Sequence, residues 1–273
     1  MTCDLFLCPV CGERLFAEGK SYLCPNRHCF DIARDGYVNL LRGNAGGDHG
    51  DNREMIRARR DFLATGHYSH LMDALAEIAL THLPADGVLL DAGCGECSYT
   101  ERIARALADA GRSARVLGVD LSKDALSIGG RRSKTLSLAV SSVYHLPLAD
   151  GCVDMLFEVF APFAEEEYAR ILKTGGKMVM AIPAARHLFE LKSVLYEDPY
   201  ENEVQDTALT RFRLLERRTL TRRVTLGTDD EVWNLFTMTP YFYRTSPEDK
   251  ERLRHASPLT VTAAFEVLVY EKI

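Results

Sequence analysis

The sequence has no long apolar run, and its N-terminus lacks a basic segment. A membrane-spanning helix needs roughly 20 consecutive apolar residues, but the most apolar stretch, Cys152 to Ala164, is interrupted by Asp154 and Glu158. The first residues, MTCDLFLCPV, do not carry the positive charges that begin a signal peptide. These absences predict a cytoplasmic protein without membrane association.

The sequence also lacks a basic excess, internal repeats and low-complexity segments. Its 273 residues contain 33 Lys and Arg against 39 Asp and Glu, a net charge of -6. This balance argues against general coating of a polyanion, although a local basic patch still allows a focused nucleic-acid site. With 47% hydrophobic and 26% charged residues, the chain has the composition of a globular protein. Its length fits a main domain plus a small module.

Cysteine is concentrated at the N-terminus, where five of the eight cysteines occur within thirty residues: Cys3, Cys8, Cys11, Cys24 and Cys29. In a cytosolic protein this grouping indicates a metal site before disulfides. Cys8-Pro-Val-Cys11 and Cys24-Pro-Asn-Arg-His28 form two ligand pairs. Two knuckle turns joined by a hairpin bring such pairs into a tetrahedron, and thiolate with imidazole suits zinc. Four protein ligands leave no open coordination position, so the predicted zinc site is structural.

Two other interpretations of these cysteines stay open. Cys29 competes with His28 as the fourth ligand, since a Cys24-x4-Cys29 spacing also allows coordination. A redox CxxC would need a strand before it and a helix after it, whereas Pro9 and Gly12 indicate a turn. Burial as a small hydrophobic residue fits Cys152 better than it fits the paired cysteines.

The pattern of the remaining chain predicts an α/β fold. Short apolar runs alternate with longer amphipathic ones after Pro84, which is typical of a parallel sheet wrapped by helices. The predicted strands are Val88 to Asp91, Arg115 to Asp120, Ser137 to Val140, Val153 to Val159 and Lys177 to Pro183. Helical spacing covers Arg53 to about Leu80 and is broken at Gly66, and alternation from Arg213 to Ile273 predicts antiparallel edge strands. We divide the chain into a zinc module (1–41), a mobile linker (42–52) and a main domain (53–273).

A glycine turn after the first predicted strand of the main domain indicates a cofactor site. Asp91 ends the strand, and Gly93 and Gly95 allow the backbone to approach a ligand at the carboxyl edge of the sheet. Ser98 replaces the third glycine of a dinucleotide fingerprint, which disfavours NAD. Asp120 ends the next strand, where a carboxylate accepts hydrogen bonds from ribose hydroxyls. Two acids and no phosphate-binding turn fit S-adenosylmethionine, a cationic ligand with a ribose.

The glycine turn and the acid after it resemble the Rossmann-like class I methyltransferases, which match over Asp91 to Gly95 and at Asp120. Together with CPVCG, YLCPNRHCFDIARDGYVNLL, GDNREMIRARRDFLATGHY and RHLFELK, the whole chain resembles the large-subunit 23S rRNA guanine-N1 methyltransferase family (RlmA/RrmA type). The resemblance implies methyl transfer to guanine N1 in a domain II hairpin loop. A small-molecule methyltransferase with a structural zinc knuckle is the alternative.

The resemblance also assigns residues. It implies zinc ligands at Cys8, Cys11, Cys24 and His28, and it implies cofactor contacts at Tyr68, Asp91, Gly93, Gly95, Glu96, Asp120, Leu121, Ser142 and His187. Ser142 stands where the family often has an aspartate near the adenine amine, so recognition of adenine would use hydroxyl or backbone groups. Without the resemblance, the sequence favours a core tyrosine at position 68 over a cofactor contact. It likewise favours a surface residue near a helix start for His187.

The target base and its RNA impose further expectations. Guanine N1 carries a proton, so the base must be unpaired and deprotonated. Glu158 is a candidate base and Phe160 a candidate stacking residue, although the sequence identifies no catalytic residue firmly. Arginines in two clusters could contact phosphates. The first comprises Arg27, Arg34, Arg42, Arg53, Arg57, Arg59 and Arg60, and the second comprises Arg211, Arg213, Arg217, Arg218, Arg222 and Arg223. The second equally fits a solvated edge strand guarded by cations. A homodimer would help span a hairpin.

Overall fold

The computed structural model describes residues 3–41, 51–203 and 208–273. An N-terminal four-stranded antiparallel sheet, in the order β1-β2-β3-β4, carries the predicted zinc ligands. Its strands are β1 (Cys3–Leu7), β2 (Arg14–Glu18), β3 (Ser21–Leu23) and β4 (Cys29–Asp31). Most of the predicted linker, residues 42–50, lies outside the described residues, as does Arg42 of the first arginine cluster.

The main sheet has eight strands in the order β11-β12-β10-β9-β6-β7-β8-β5. The strands are β5 (Tyr37–Asn39), β6 (Val88–Ala92), β7 (Arg115–Asp120), β8 (Ser137–Val140), β9 (Val153–Val159), β10 (Leu172–Pro183), β11 (Phe212–Leu226) and β12 (Leu259–Lys272). The strands from β5 to β10 run parallel, and β11 and β12 join antiparallel. The five predicted strands and the antiparallel tail are confirmed.

Nine helices accompany the strands in the described ranges. They are α1 (Arg53–Ala64), α2 (Ser69–His82), α3 (Ser98–Asp109), α4 (Lys123–Arg132), α5 (Glu165–Ile171), α6 (Phe189–Leu195), α7 (Asp229–Thr237), α8 (Tyr241–Arg244) and α9 (Pro247–Glu251). The break predicted at Gly66 separates α1 from α2. None of the described helices combines the length and the apolar character needed to cross a bilayer.

The two faces of the sheet have separate cores, because side chains alternate along each strand. In β6, Leu89 packs with α1, α2 and α3, whereas Val88 and Leu90 pack on the opposite face. That opposite face is covered by α5 and by the zinc module, whose Phe6 and Leu15 are fully buried in the same core. Full burial of a phenylalanine such as Phe6 contributes about 2 kcal/mol to the free energy of unfolding. Because these side chains are buried in the core of the main sheet, the module forms a layer of the main fold.

The module also extends the main sheet. Strand β5 lies within the range predicted for the zinc module, yet it pairs in parallel with β8 through Val38 opposite Ala139. Asp35 precedes β5, and its carboxylate accepts hydrogen bonds from two residues of α4. The donors are the hydroxyl of Ser127 and the guanidinium of Arg131, the latter at 2.9 Å. The N-terminal residues are therefore joined to the main sheet by strand pairing as well as by packing.

The chain order reverses at the β6–β9 pair. From β6 the chain moves outward through β7 and β8 on one side, and from β9 it moves through β10 on the other. Loops at the carboxyl ends of such a pair diverge and leave a crevice between them. The predicted Gly93 turn follows β6, and the predicted Glu158–Phe160 segment forms the end of β9 and the residue after it. The topology therefore brings them to opposite sides of one crevice.

Candidate active site and metal centre

Four predicted zinc ligands converge in the N-terminal module. The sulfur atoms of Cys8, Cys11 and Cys24 and a ring nitrogen of His28 all lie within 4.8 Å of one another. The Cys11 and Cys24 sulfurs are 3.7 Å apart, and Nδ1 of His28 is 3.3 Å from the sulfur of Cys24. A tetrahedron with Zn–S bonds of about 2.3 Å has edges of about 3.8 Å. The donor set and its spacing therefore fit one structural zinc ion.

The arrangement favours His28 over Cys29 as the fourth ligand. Cys29 begins strand β4, is exposed, and does not belong to the group of converging side chains. The Cys11 sulfur accepts a hydrogen bond from the Glu13 backbone, and this is the main reason why the pKa of the thiol is lowered to about 6. The shift favours the thiolate that zinc binds.

A cavity of about 950 Å³ opens at the carboxyl edge of the main sheet. Eight of the nine predicted cofactor residues line it: Tyr68, Gly93, Gly95, Glu96, Asp120, Leu121, Ser142 and His187. We call the side formed at the ends of β6, β7 and β8 the cofactor half. We call the side formed after β9 and β10, with Glu158, Phe160, Pro183, Asn202 and Tyr241, the acceptor half.

The glycine turn is shaped for close approach of backbone to ligand. Gly93 has a φ of +84°, and a Cβ atom at this position would lie 2.4 Å from Cβ of Ala161. The turn is thus pressed against the loop after β9, and only glycine satisfies both the conformation and the space. Cys97 adopts φ of +63° before α3, where its sulfur packs 3.7 Å from that of Cys94.

Asp120 is fixed by two backbone amides at the centre of the cofactor half. Its Oδ2 accepts from Gly95 at 2.9 Å and its Oδ1 from Ser122 at 2.8 Å. Burial is the largest effect on its carboxyl pKa, which is raised. Each carboxylate oxygen keeps a further lone pair, so Asp120 can accept hydrogen bonds from the ribose hydroxyls of S-adenosylmethionine. Ser142 lies on the same side, after β8.

Asp91 does not lie on the cavity wall, in contrast to the other predicted cofactor residues. Its Oδ2 accepts a hydrogen bond from Thr100 of α3, and its buried Oδ1 has no hydrogen-bond partner among the described residues. Burial raises the pKa of this carboxyl to about 7. Asp91 therefore anchors α3 from beneath the glycine turn, and its orphaned oxygen and raised pKa suit a site that receives a cationic ligand above it.

Arg59, expected among the phosphate-binding arginines, instead lines the cofactor half. Its guanidinium pairs with Asp51 and lies beside the glycine turn, with Nη1 3.5 Å from where a Cβ of Gly95 would stand. The neighbouring charge of Glu96 also acts on it. Arg59 gives the cofactor half a cation that matches the carboxylate of the methionine portion of S-adenosylmethionine.

Tyr68 and His187 meet at the boundary of the two halves. The His187 Nδ1 accepts from the Ala264 amide at 3.2 Å, so the proton is on Nε2, which lies 3.5 Å from the Tyr68 hydroxyl. Burial and the charge of Lys192 lower the pKa of His187 to about 3. The imidazole is therefore neutral and serves as a hydrogen-bond donor and packing surface, not as a general base near neutral pH.

Glu158 and Phe160 form the part of the acceptor half next to the glycine turn. Glu158 is 2% exposed, and its Oε1 accepts from the Ala161 amide at 2.9 Å. Burial raises the pKa of this carboxyl to about 8. Phe160 has φ of +56°, a strained conformation for this residue, and is 45% exposed while lining the cavity. Such strain costs about 1–3 kcal/mol and is typical of functional segments.

Sequence reasoning missed the contributions of Asn202 and Lys192, and it left Tyr241 open between a stacking role and core packing. Asn202 and Tyr241 line the acceptor half, and the ammonium of the buried Lys192 contacts both. Asn202 follows α6 in a segment without secondary structure, so no periodic pattern marks it. The sequence around Tyr241 is visibly aromatic but is equally consistent with core packing.

Comparison with known proteins identifies two regions of the chain. Residues 6–44 match the zinc-ribbon family described as "RlmA, N-terminal", and residues 89–176 match the family described as "Methyltransferase domain". A protein of Streptomyces fradiae named 23S rRNA (guanine(748)-N(1))-methyltransferase is 32% identical over 90% of this chain and 88% of its own. A Micromonospora griseorubida protein, provisionally named 23S rRNA (guanine-N(1)-)-methyltransferase, is 38% identical over 97% of both chains.

The chain belongs to the 23S rRNA guanine-N1 methyltransferase family. A third relative, from Bacillus subtilis and provisionally given the same activity, is 31% identical over 97% of this chain and 96% of its own. Membership agrees with the zinc-ribbon ligands of the N-terminal module and with the class I methyltransferase sheet. The protein is accordingly a methyltransferase that uses S-adenosylmethionine and carries one structural zinc site.

Proposed function

We propose that this protein transfers the methyl group of S-adenosylmethionine to N1 of a guanine in a domain II hairpin loop of 23S rRNA. The observation that carries the proposal is the pairing of a buried carboxylate with a strained, exposed aromatic ring, Glu158 and Phe160, directly across from the glycine turn. The names of the relatives support rRNA as the acceptor, and one of them specifies guanine 748.

The cofactor half has the groups that S-adenosylmethionine requires. Asp120 would bind the ribose, Arg59 the carboxylate, and the Gly93 and Gly95 backbone would lie along the ligand. When bound, S-adenosylmethionine supplies a methyl group activated by its sulfonium charge and leaves as neutral S-adenosylhomocysteine, with the bonding electron pair on sulfur. The protein then has to position the acceptor and remove its proton.

Glu158 is our proposed base. Its Oε1 is held by the Ala161 amide, and in the described residues Oε2 has no hydrogen-bond partner, so one oxygen is available to accept the N1 proton of guanine. The raised pKa of this carboxyl, about 8, suits proton transfer near neutral pH better than an ordinary carboxylate does. Phe160 would stack on the flipped guanine, as aromatic side chains do in single-stranded RNA sites.

An exposed basic surface next to the zinc module supports RNA as the acceptor. It consists of exposed residues of the module, of α1, and of α4 and the segment just after it: Arg34, Arg57, Lys123, Arg131, Arg132 and Lys134. Of these, Arg131 pairs with Asp35, and the other five form no ion pair with the part of the chain that the structure describes. Lys123 and Arg131 are eight residues apart on α4, two turns on one side, which spans about 12 Å. At this separation, the two side chains would contact two phosphates of one RNA strand.

The second arginine cluster has a different character. On and beside β11, acids pair with its arginines: Arg211 with Glu166, Arg213 with Glu271, Arg217 with Glu266, Arg218 with Glu216 and Glu77, and Arg223 with Glu190. Arg222 donates to Ser69. These partners favour the interpretation of β11 as a charged, protected edge strand over a phosphate track.

Three finer points belong to the same proposal. We propose that the reaction takes place in the cytoplasm, on RNA and not DNA. We keep the division into module (1–41), linker (42–52) and main domain (53–273) as a description of roles in recognition, connection and catalysis. A homodimer stays a prediction that measurement of the molecular mass in solution would test.

The deciding experiment measures transfer of labelled methyl from S-adenosylmethionine to unmodified 23S rRNA, followed by identification and mapping of the product nucleoside by mass spectrometry. Label in 1-methylguanosine within the domain II hairpin loop supports the proposal. Label at another guanine overturns the hairpin assignment, and transfer only to small molecules overturns the rRNA function in favour of a small-molecule enzyme. DNA serves as the negative control.

A matched variant tests the assigned base. Glu158→Gln keeps the side-chain shape and the acceptor for the Ala161 amide but cannot take a proton. We expect its kcat to fall by about 10²–10⁴, with S-adenosylmethionine affinity unchanged within about threefold. A kcat within threefold of the wild-type value would show that Glu158 is not the base.

A further inference from the structure

A buried ammonium group stands behind the acceptor half and forms no ion pair with the residues that the structure describes. Lys192, on α6, has no exposed surface. Its Nζ donates to the Tyr200 carbonyl at 2.9 Å and to Oδ1 of Asn202 at 2.7 Å. None of the carboxylates in the described ranges lies within ion-pair distance of it. Lysines are almost never fully buried without a partner, so this charge needs an explanation.

Aromatic faces provide the rest of the environment of Lys192. Its Nζ lies 4.4 Å from the centroid of the Tyr200 ring and 5.3 Å from that of Tyr241. These contacts stabilise a cation by the quadrupole of the ring without cancelling its charge. Burial lowers the pKa of Lys192, and the charge of Glu201 opposes that shift. Glu201 itself is exposed and pairs with Arg186 at 2.8 Å.

Asn202 connects the ammonium to the cavity wall. Its Oδ1 accepts from Lys192 and from the Tyr241 hydroxyl at 3.2 Å. Its Nδ2 donates to the carbonyls of Ala184 at 2.9 Å and His187 at 3.3 Å. All the hydrogen-bonding capacity of this amide is used. One charged group therefore fixes three separate segments of the acceptor half: the loop after β10, the loop after α6, and α8.

We propose that Lys192 is a positioning residue for the methyl acceptor, which holds Asn202 and Tyr241 in the acceptor half and places a positive charge behind that wall. The inference rests on the proposed function. A guanine that gives its N1 proton to a base becomes an anion, with negative charge shared between N1 and the neighbouring carbonyl oxygen. A fixed cation behind the wall stabilises this form more than the neutral base.

The location of Lys192 makes this effect selective for the acceptor. Asn202 and Tyr241, through which it reaches the cavity, belong to the acceptor half, whereas Arg59 is the cation of the cofactor half. Removal of the Lys192 charge should therefore slow transfer much more than it weakens S-adenosylmethionine binding. A preorganised charge in a site that excludes water acts strongly because nothing has to reorient during the reaction.

The test compares three variants of the full-length protein in methyl transfer to unmodified 23S rRNA. Lys192→Met keeps the length of the side chain without its charge, and Lys192→Arg keeps the charge. Lys250→Met is the matched control, because Lys250 also lies over an aromatic ring, 4.0 Å from the centroid of Phe242, but does not line or back the cavity. We measure kcat, KM for RNA, Kd for S-adenosylmethionine and thermal stability for each.

We expect Lys192→Met to lower kcat by at least tenfold, with Kd for S-adenosylmethionine within threefold of wild type. Lys192→Arg should recover kcat to within threefold, and Lys250→Met should leave it unchanged. A kcat within twofold of wild type in Lys192→Met overturns the inference. So does a variant whose Tm and cofactor affinity fall together with kcat and are not restored by arginine, because that pattern shows a purely structural lysine.

The wild-type protein separates this inference from the function on which it rests. If wild-type enzyme methylates guanine N1 and Lys192→Met does so equally fast, only the role of Lys192 is wrong. If wild-type enzyme with bound S-adenosylmethionine methylates no guanine in RNA, the proposed function and the role of Lys192 are both wrong.

Discussion

The backbone N–H of Leu7 donates a hydrogen bond of 2.8 Å to the carbonyl of Pro147. Leu7 immediately precedes the zinc ligand Cys8, and Pro147 lies in the segment that follows β8 and carries Ser142 on the cavity wall. A bridge between Phe6 and Leu148 extends the same contact. This contact therefore joins the zinc centre to a segment that lines the cofactor half.

This contact predicts that zinc supports cofactor binding as well as the module. Cys24→Ser removes a buried ligand, and loss of zinc should unfold the ligand loops because metal binding and folding are coupled. We expect metal content to fall from one zinc to none and Kd for S-adenosylmethionine to rise by about three- to tenfold, an effect of about 1 kcal/mol.

Cys29→Ser is the control for that experiment, since Cys29 is exposed and outside the ligand group. It should retain one zinc ion and wild-type cofactor affinity. If Cys29→Ser loses zinc and His28→Ala keeps it, the ligand set is wrong. If Cys24→Ser loses zinc but binds S-adenosylmethionine normally, the coupling is wrong and the module folds independently of the cavity.

Gly93→Ala should abolish cofactor binding through a steric cause. The new Cβ would stand 2.4 Å from that of Ala161 in a residue whose φ is +84°, so either the turn or the loop after β9 must move. We expect at least a tenfold weaker Kd for S-adenosylmethionine by calorimetry and about 1–3 kcal/mol lower stability.

Gly151→Ala separates backbone strain from steric overlap. Gly151 also has a positive φ, +58°, but a Cβ there would meet nothing within 4 Å. This variant should lose about 1 kcal/mol of stability and bind S-adenosylmethionine normally. Equal cofactor affinities in the two variants would show that the contact between Gly93 and Ala161 does not shape the site.

Arg59 should contribute to cofactor binding and Arg60 should not. Arg59 lines the cofactor half beside the glycine turn, whereas Arg60 pairs with Asp61 at the surface. Arg59→Ala is expected to weaken S-adenosylmethionine binding by about tenfold, which corresponds to one charge-assisted hydrogen bond of about 1.4 kcal/mol. The neighbouring Arg60→Ala should change it by less than twofold. An Arg59→Ala variant that binds the cofactor normally but loses RNA affinity would return this residue to the phosphate-binding group.

Stability should fall as the pH rises from about 4 to about 7, because Asp91 keeps its proton longer in the folded state. The pKa of its carboxyl is raised to about 7, above an ordinary value of about 4. A folded state that binds more protons than the unfolded state loses stability with rising pH. Asp91→Asn keeps a hydrogen-bond acceptor for Thr100 but cannot titrate. Between pH 5 and pH 8, its free energy of unfolding should fall by about 1–4 kcal/mol less than that of the wild type.

Urea unfolding at the two pH values measures this difference. Asp86→Asn is the control, because Asp86 is exposed and should follow the wild-type pH dependence. Glu158 acts in the same direction as Asp91, since its pKa is raised to about 8, so part of the decline should persist in Asp91→Asn. An identical decline in wild type and Asp91→Asn would remove Asp91 as its source.

The basic surface next to the zinc module should govern RNA affinity. Neutralising Arg57, Lys123 and Arg132 together by Gln should weaken binding of a 23S rRNA hairpin, because these three exposed side chains form no ion pair with the described residues. It should also reduce the slope of log Kobs against log salt by about 0.7–0.9 for each phosphate that the protein no longer neutralises. Neutralising Arg213, Arg217 and Arg218 on β11 by Gln is the matched control, because acids already pair with those arginines. Equally weakened binding in both triple variants would show that only net charge matters.

Local sequence patterns predicted most of the sheet but not its outer strand. The strands from β6 to β10 are marked by apolar runs because both of their faces are buried, and the Gly93 turn by its glycines. Strand β5 has only three residues, Tyr37–Asn39, and forms because β8 lies beside it. A strand pairing between residues about a hundred positions apart leaves no local signal in the sequence, so sequence patterns did not predict that β5 joins the main sheet.

The candidate site shows the same division between local and distant information. Asp120 is predictable because an acid at a strand end has a local signature, and the neighbouring Asp91 is predictable in the same way. The sequence could not tell that Asp91 faces Thr100 instead of the cavity. Arg59 and Lys192 look like ordinary charges on amphipathic helices, and only the packing of the whole fold brings Arg59 into the cavity wall and Lys192 behind it.

The position of β12 sets an order on the assembly of the sheet during synthesis. This strand lies between β10 and β11, although it is translated after both. Until β12 leaves the ribosome, β11 has no neighbour to accept its fifteen-residue ladder. Phe265 of β12, which packs against the cavity-lining residues Tyr68, His187 and Phe160, is also missing. A nascent chain can therefore fold its zinc ligands early, yet the catalytic pocket is completed only by one of the last segments to be made.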